Sequence, residues 1–144
     1  MAIIDPSSPE ASRRMARVRQ KGTGAELALR RALHARGFRY RLHVPVLTKP
    51  RRVADIVFPR SRTIVFVDGC FWHGCPLHAS WPKSNAEFWR NKIETNRARD
   101  RDTDRRLEAE GWHVVRVWEH ESVDEAVERI AEVVVARAKA ERRR

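Results

Sequence analysis

Apolar positions recur along the chain in two rhythms, one of helices and one of strands. Leu29 and Leu33 stand four apart, and Thr23 has the capping-box relation to Glu26, so a helix is expected over about residues 23–36, stopped by Gly37. Residues 38–43 alternate as a strand, after which Pro45 and Pro50 bound a loop. The runs 53–58 and 63–68 are β-branched and apolar, and Pro59-Arg60-Ser61-Arg62 joins them, which reads as a hairpin. Ser84 and Glu87 form a second capping box at the head of a long helix over about residues 85–110, ended by Gly111. Residues 112–118 make a further strand. Residues 122–141 make a closing helix with Val123, Val127, Ile130 and Val134 on one face. A short arginine-bearing helical stretch over residues 9–19 precedes all of these. The order α-α-β-β-β-α-β-α is an α/β arrangement, a mixed central sheet flanked by helices. Residues 1–8 read as a flexible leader, 9–141 as a single domain and 142–144 as a basic tail.

Charge changes this picture. Thirty Lys and Arg against nineteen Asp and Glu give a formal net charge of +11 over 144 residues, which fits an acidic polymer such as nucleic acid as partner. Solubilisation alone also explains an excess of charge, so placement has to decide. The long helix carries Arg90, Lys92, Arg97, Arg99, Arg101, Arg105 and Arg106, a density suited to phosphates or to an ordinary solvated face. The longest apolar run, residues 64–67, is far too short to span a bilayer, and the N-terminus is polar. A cytoplasmic protein is expected.

The two cysteines, Cys70 and Cys75, lie with His78 in the spacing C-x4-C-x2-H, and His120 follows the last strand. Two thiolates and two imidazoles suit a closed, tetrahedral, structural Zn²⁺. Alternatively, the cysteines are free thiols and the histidines incidental.

Asp55 interrupts an apolar strand and Asp68 ends the next one, so a hairpin could bring the two carboxylates together to bind Mg²⁺. His73 is close enough in sequence to act as a general acid or base. The alternatives are an ion pair from Asp55 to Arg51 or Arg52, a turn-forming role for Asp68 before Gly69, and a further zinc ligand at His73. Phe71 and Trp72 in the polar loop, and Trp89 near the start of the long helix, are either core residues or tools for insertion between bases. Trp112 and Trp118, on a strand, read as core.

The run Phe66-Val67-Asp68-Gly69-Cys70-Phe71-Trp72-His73-Gly74-Cys75-Pro76 resembles the very short patch repair (Vsr) endonucleases. So do Glu87-Phe88-Trp89, Lys92-Ile93, Asn96, Arg99-Asp100, Gly111-Trp112 and Val117-Trp118-Glu119, with Met15 and Glu26 upstream. The likeness covers roughly residues 10–121 in order.

This resemblance implies a restriction-endonuclease-like fold with a structural zinc, and Mg²⁺-dependent nicking of one strand of double-stranded DNA. The nick falls 5′ to the thymine of a T:G mismatch left by deamination of 5-methylcytosine. Asp55 looks like the magnesium-binding aspartate, with the backbone of Val67 beside it, and His73 like the catalytic histidine. Met15, Phe71, Trp72 and Trp89 look like the residues wedged into the duplex. Cys70, Cys75, His78 and His120 fall at the zinc ligands, and Glu26 and Asp100 match acidic residues around the active site. Asp68 stands where a familiar member has histidine, as a second metal ligand or a carboxylate facing Asp100. Val67 replaces a threonine and His120 a cysteine. Glu26 keeps its capping role as an alternative. The resemblance further implies a monomer at the nucleoid, associated in function with a cytosine-5 DNA methyltransferase. The rivals are a restriction-like endonuclease of other mismatch or sequence specificity, and a non-catalytic zinc-dependent DNA-binding module.

Overall fold

The β-branched runs pair into one sheet in the computed structural model, which describes residues 24–69 and 85–142. Strands β1 (Arg41–Thr48), β2 (Arg51–Phe58), β3 (Thr63–Asp68) and β4 (His113–Trp118) lie in the order β1-β2-β3-β4. The first two pairings are antiparallel and the last is parallel, so the sheet is mixed. Helix α1 (residues 24–35) precedes the sheet. Helix α2 (Ala86–Ala109) makes the crossover from β3 to β4, and α3 (Val123–Arg142) closes the chain. The helical stretch expected over residues 9–19 lies outside the described residues.

Two glycines end helices as the sequence indicates, and for the same reason. At α1, Gly37 has φ +93, its N–H donates to His34 O and Phe38 N–H donates to Leu33 O. At α2, Gly111 has φ +92, its N–H donates to Glu108 O and Trp112 N–H donates to Leu107 O. Both are Schellman closures, in which a left-handed residue turns the chain back onto the last carbonyls. The start of α2 differs from expectation. Its N-cap is Asn85, in the left-handed region with no side-chain cap, and Ser84 lies outside the described residues. At the other end of the chain α3 runs on through Arg142, one residue into the expected tail.

The largest departure is β1, which continues through Pro45 to Thr48 where a loop was expected. Proline cannot donate to a ladder, but β1 is an edge strand, and the register shifts between Pro45 and Leu47. The apolar alternation of the sequence runs on through Val44 and Val46, but the pleat itself changes at His43. Leu42 packs on one face of the sheet with Ile56, while Val44 packs on the other with Ala54. Residues two apart in a regular strand share a face. Here they do not, and the residue between them on β1, His43, has φ +50.

Each face of the sheet is covered. Leu29 and Leu33 of α1 and Val127, Ile130 and Val134 of α3 pack with Ile56, Phe58, Val65, Val115 and Val117. On the other face Leu107 of α2 packs with Ala54, Val57, Ile64 and Phe66. No helix among the described residues is long and apolar enough to cross a membrane.

Candidate active site

Asp55 lies where β2 and β3 part company. Their pairing runs Phe58↔Thr63, Val57↔Ile64, Ile56↔Val65, and the backbone ladder goes no further. The next free donor on β3 is taken by a side chain: Val67 N–H donates to Asp55 Oδ2 at 2.8 Å. The sequence drew attention to Val67 for its backbone, and what the structure shows is its N–H positioning the aspartate.

Glu26 reaches the same place from the first turns of α1, only 7% exposed. Its carboxylate accepts from His43 Nε2 at 2.9 and 3.2 Å and from Arg30 at 3.5 Å, so it is turned onto this site. Its supposed capping partner, Thr23, lies outside the described residues. Burial, joined by the neighbouring Glu26 and Asp68 carboxylates and opposed by the Val67 N–H, pushes the Asp55 carboxyl up to about 6. The ion pair considered for Asp55 is not formed by Arg52, whose Nε donates instead to Thr103 Oγ1 of α2 at 2.9 Å. Ligand atoms of Glu26, His43 and Asp55 all lie within 4.8 Å of one another. Two carboxylates and an imidazole converging at this spacing have the donor chemistry to hold one divalent cation.

Asp68 is 5% exposed and belongs to a neighbouring cluster. Arg116 of β4 donates through one nitrogen to both oxygens of Asp68, at 3.0 and 3.2 Å. Its Nε and other terminal nitrogen donate to Asp104 at 2.8–3.1 Å, and Asp100 lies at 3.7 Å. The guanidinium also covers the Phe66 ring at 4.3 Å. Asp68 and Asp100 therefore share a cation instead of repelling each other across a bare gap. These carboxylates hold the Arg116 proton above its ordinary range despite burial. Asp68 also anchors the turn after β4, since Glu119 N–H donates to its carbonyl.

His43 and Arg116 were not singled out from the sequence. For Arg116 a signal existed: it interrupts the apolar run of β4 as Asp55 interrupts β2. For His43 there was none, since it fills a polar position in a period-2 run that continues through Val44 and Val46.

Trp89, read as a duplex wedge, is instead packed inside at 3% exposed, and its neighbour Phe88 is the exposed ring at 41%. Their rings meet edge to face at 5.1 Å. Helical spacing places Trp89 with Ile93, Asn96, Thr103 and Leu107 on the buried face of α2, so wedging by Trp89 requires it to leave this packing. Met15, Cys70, Phe71, Trp72, His73, Cys75 and His78 lie outside the described residues. His120 is exposed in the turn after β4 and stacks with Trp118 at 6.4 Å. On α2, Arg90, Arg97, Arg99 and Arg101 are exposed, whereas Arg105 and Arg106 pair with Asp102.

Comparison with known proteins decides what this arrangement belongs to. The profile of the DNA mismatch endonuclease Vsr matches residues 2–79. The chain belongs to the Vsr family. It is 47% identical over 125 residues to the type II nicking enzyme V.XorIIP of Xanthomonas oryzae pv. oryzae, covering 85% of this chain and 89% of that one. It is 42% identical over 135 residues to the type II nicking enzyme V.NaeI of Lentzea aerocolonigenes, covering 90% and 79%. The DNA mismatch endonuclease Vsr of Escherichia coli is 36% identical over 110 residues, covering 75% and 68%. The four-stranded mixed sheet with flanking helices fits the restriction-endonuclease-like fold of the Vsr family. Membership makes the chain a DNA mismatch endonuclease and removes the non-catalytic binding module as its description.

Proposed function

We propose that this Vsr-family endonuclease nicks the thymine strand of a T:G mismatch, 5′ to the thymine, using Mg²⁺ held at Asp55. The observation that carries the metal assignment is the closeness of Asp55 and Glu26: a half-buried and a buried carboxyl in one place, with the Asp55 carboxyl raised to about 6. Two ionised carboxylates so close are unfavourable together, and a divalent cation between them reverses the sign of the interaction. When bound, the cation supplies Lewis-acid polarisation of the scissile phosphate and neutralises developing charge. Val67 N–H keeps one Asp55 oxygen oriented, and Glu26 holds the second carboxylate against the site. His73 takes the proton from the water that attacks in line. Phe71 and Trp72 enter the stack where the mismatch weakens it, at a cost of about a few kcal/mol of unstacking. The exposed arginines of α2 hold backbone phosphates.

A structural zinc on Cys70, Cys75, His78 and His120 belongs to the same reading. Support comes from the parallel register of β3 and β4, in which Asp68 pairs with Trp118. In the sequence Cys70 and His120 each stand two residues after a member of that pair, which supports a shared ligand set near that end of the sheet. A cytosine-5 methyltransferase would generate the substrate, and the enzyme would act as a monomer.

One feature favours a second reading of specificity: several relatives are named as type II nicking enzymes, so a particular flanking sequence, or another mismatch, could define the target. Nicking of end-labelled duplexes with Mg²⁺, identical except for one T:G, T:A or other pair in varied flanks, separates the two. A nick confined to the T strand of the T:G duplex is expected, and Asp55→Asn is expected to bind DNA without cutting. Equal cutting of T:A removes the mismatch reading, and full activity in Asp55→Asn removes the metal assignment.

A further inference from the structure

We infer that His43 is the third protein donor to the cation held by Asp55 and Glu26, and that its imidazole biases the site toward Mn²⁺ over Mg²⁺. The inference rests on the reading of Asp55 as a cation-holding residue and adds a ligand to it. It begins with register. Leu42 pairs with Ile56 and Val44 with Ala54, so position 43 stands opposite position 55 on the edge hairpin. In a regular pleat the two side chains would share one face, opposite to the face that Leu42 and Val44 would share. The left-handed backbone at His43 breaks the pleat, and the imidazole meets the Glu26 carboxylate with Nε2 at 2.9 Å. A left-handed, non-glycine residue inside a strand has an energetic cost, and such residues gather at functional sites.

The chemistry of the set is complementary to a divalent ion. Donor atoms from the three side chains lie within 4.8 Å of one another, close to the roughly 4.2 Å that opposite ligands at about 2.1 Å from one ion span. Two carboxylates and a neutral imidazole balance a charge of two. An all-oxygen set with several waters suits Mg²⁺, while a nitrogen donor shifts preference toward Mn²⁺ and the later transition metals. The His43 side chain is 57% exposed, so the ring is accessible to an ion arriving from solvent and is not a core residue.

The test uses the full chain and Mn²⁺ itself as the probe. Mn²⁺ binding is followed by electron paramagnetic resonance, and pulsed spectra report nitrogen bound directly to the ion. The unsubstituted protein is expected to show directly bound nitrogen. His43→Asn, which tolerates the left-handed backbone, is expected to lose that signal. Its Mn²⁺ affinity should fall roughly 10-fold and its Mg²⁺ affinity, read by competition, markedly less. His43→Gln, with a thermal melt of both variants, covers a failure of the first to fold. Absence of a nitrogen coupling overturns the inference. So does a coupling that survives both substitutions, since another imidazole is then the donor. Asp55→Asn separates the layers. If it binds Mn²⁺ as tightly as the unsubstituted protein, the reading of Asp55 fails. If it loses Mn²⁺ while the His43 variants bind unchanged, only the role of His43 fails.

Discussion

His43 stands opposite Asp55 across the β1–β2 ladder, and Glu26 joins them from α1. The three residues come from three elements, Glu26 lying 17 positions before His43 and His43 12 before Asp55. What unites them is the break in the pleat at His43 and the parting of β2 from β3 beyond Ile56. Both irregularities open one end of the sheet, where the candidate site lies.

The raised Asp55 carboxyl has a consequence for stability. Its folded value of about 6 lies above its ordinary 3.8, so the native state holds that proton more tightly than the unfolded chain. The stability this gives is full below pH 3.8 and is lost as pH rises through 6. Without divalent cations, Asp55→Asn should therefore be more stabilising at pH 8 than at pH 5, by about 1–2 kcal/mol. Urea unfolding at the two pH values checks this, and an equal effect at both contradicts it.

Arg116 joins β4 to the end of β3 and to α2 through Asp68, Asp100 and Asp104. Removing the cation strands three carboxylates in a largely buried place. Arg116→Met should cost about 3 kcal/mol in urea unfolding, and Arg116→Lys should recover only part of it because a lysine cannot reproduce the fork. The defect should shrink as pH falls and the carboxylates protonate. A neutral Arg116→Met would mean that the cluster contributes nothing.

The zinc assignment has a direct check in metal analysis. One zinc per chain is expected, and Cys75→Ser should lose it along with soluble yield. A stable, active, zinc-free Cys75→Ser protein would refute the site.

Exposed arginines on α2 should act through charge alone. Arg97→Ala is expected to weaken T:G and T:A duplexes equally and to lower the slope of log affinity against log salt by about 1. A change in discrimination between the duplexes, with the slope unchanged, would place Arg97 at the bases instead.

The sequence by itself determined most elements and the family. Gly37 and Gly111 stop helices because only a left-handed residue closes those turns, and that requirement is local. The strands 53–58 and 63–68 were legible because burial on both faces leaves an apolar run, and Asp55 was legible as its interruption. The specific run from Phe66 to Pro76 carried the family, which the comparisons bear out. Only the tertiary structure decided how charges are shared. That Arg116 sits among Asp68, Asp100 and Asp104 depends on the parallel register of β3 with β4 and on the packing of α2. That Trp89 is buried depends on which face of α2 packs inward, the face it shares with Thr103 and Leu107. That His43 meets Glu26 depends on a single left-handed residue in an edge strand, where the pleat breaks although the period-2 pattern of the sequence continues. Contacts between residues far apart in the chain follow from packing, and no local pattern encodes them.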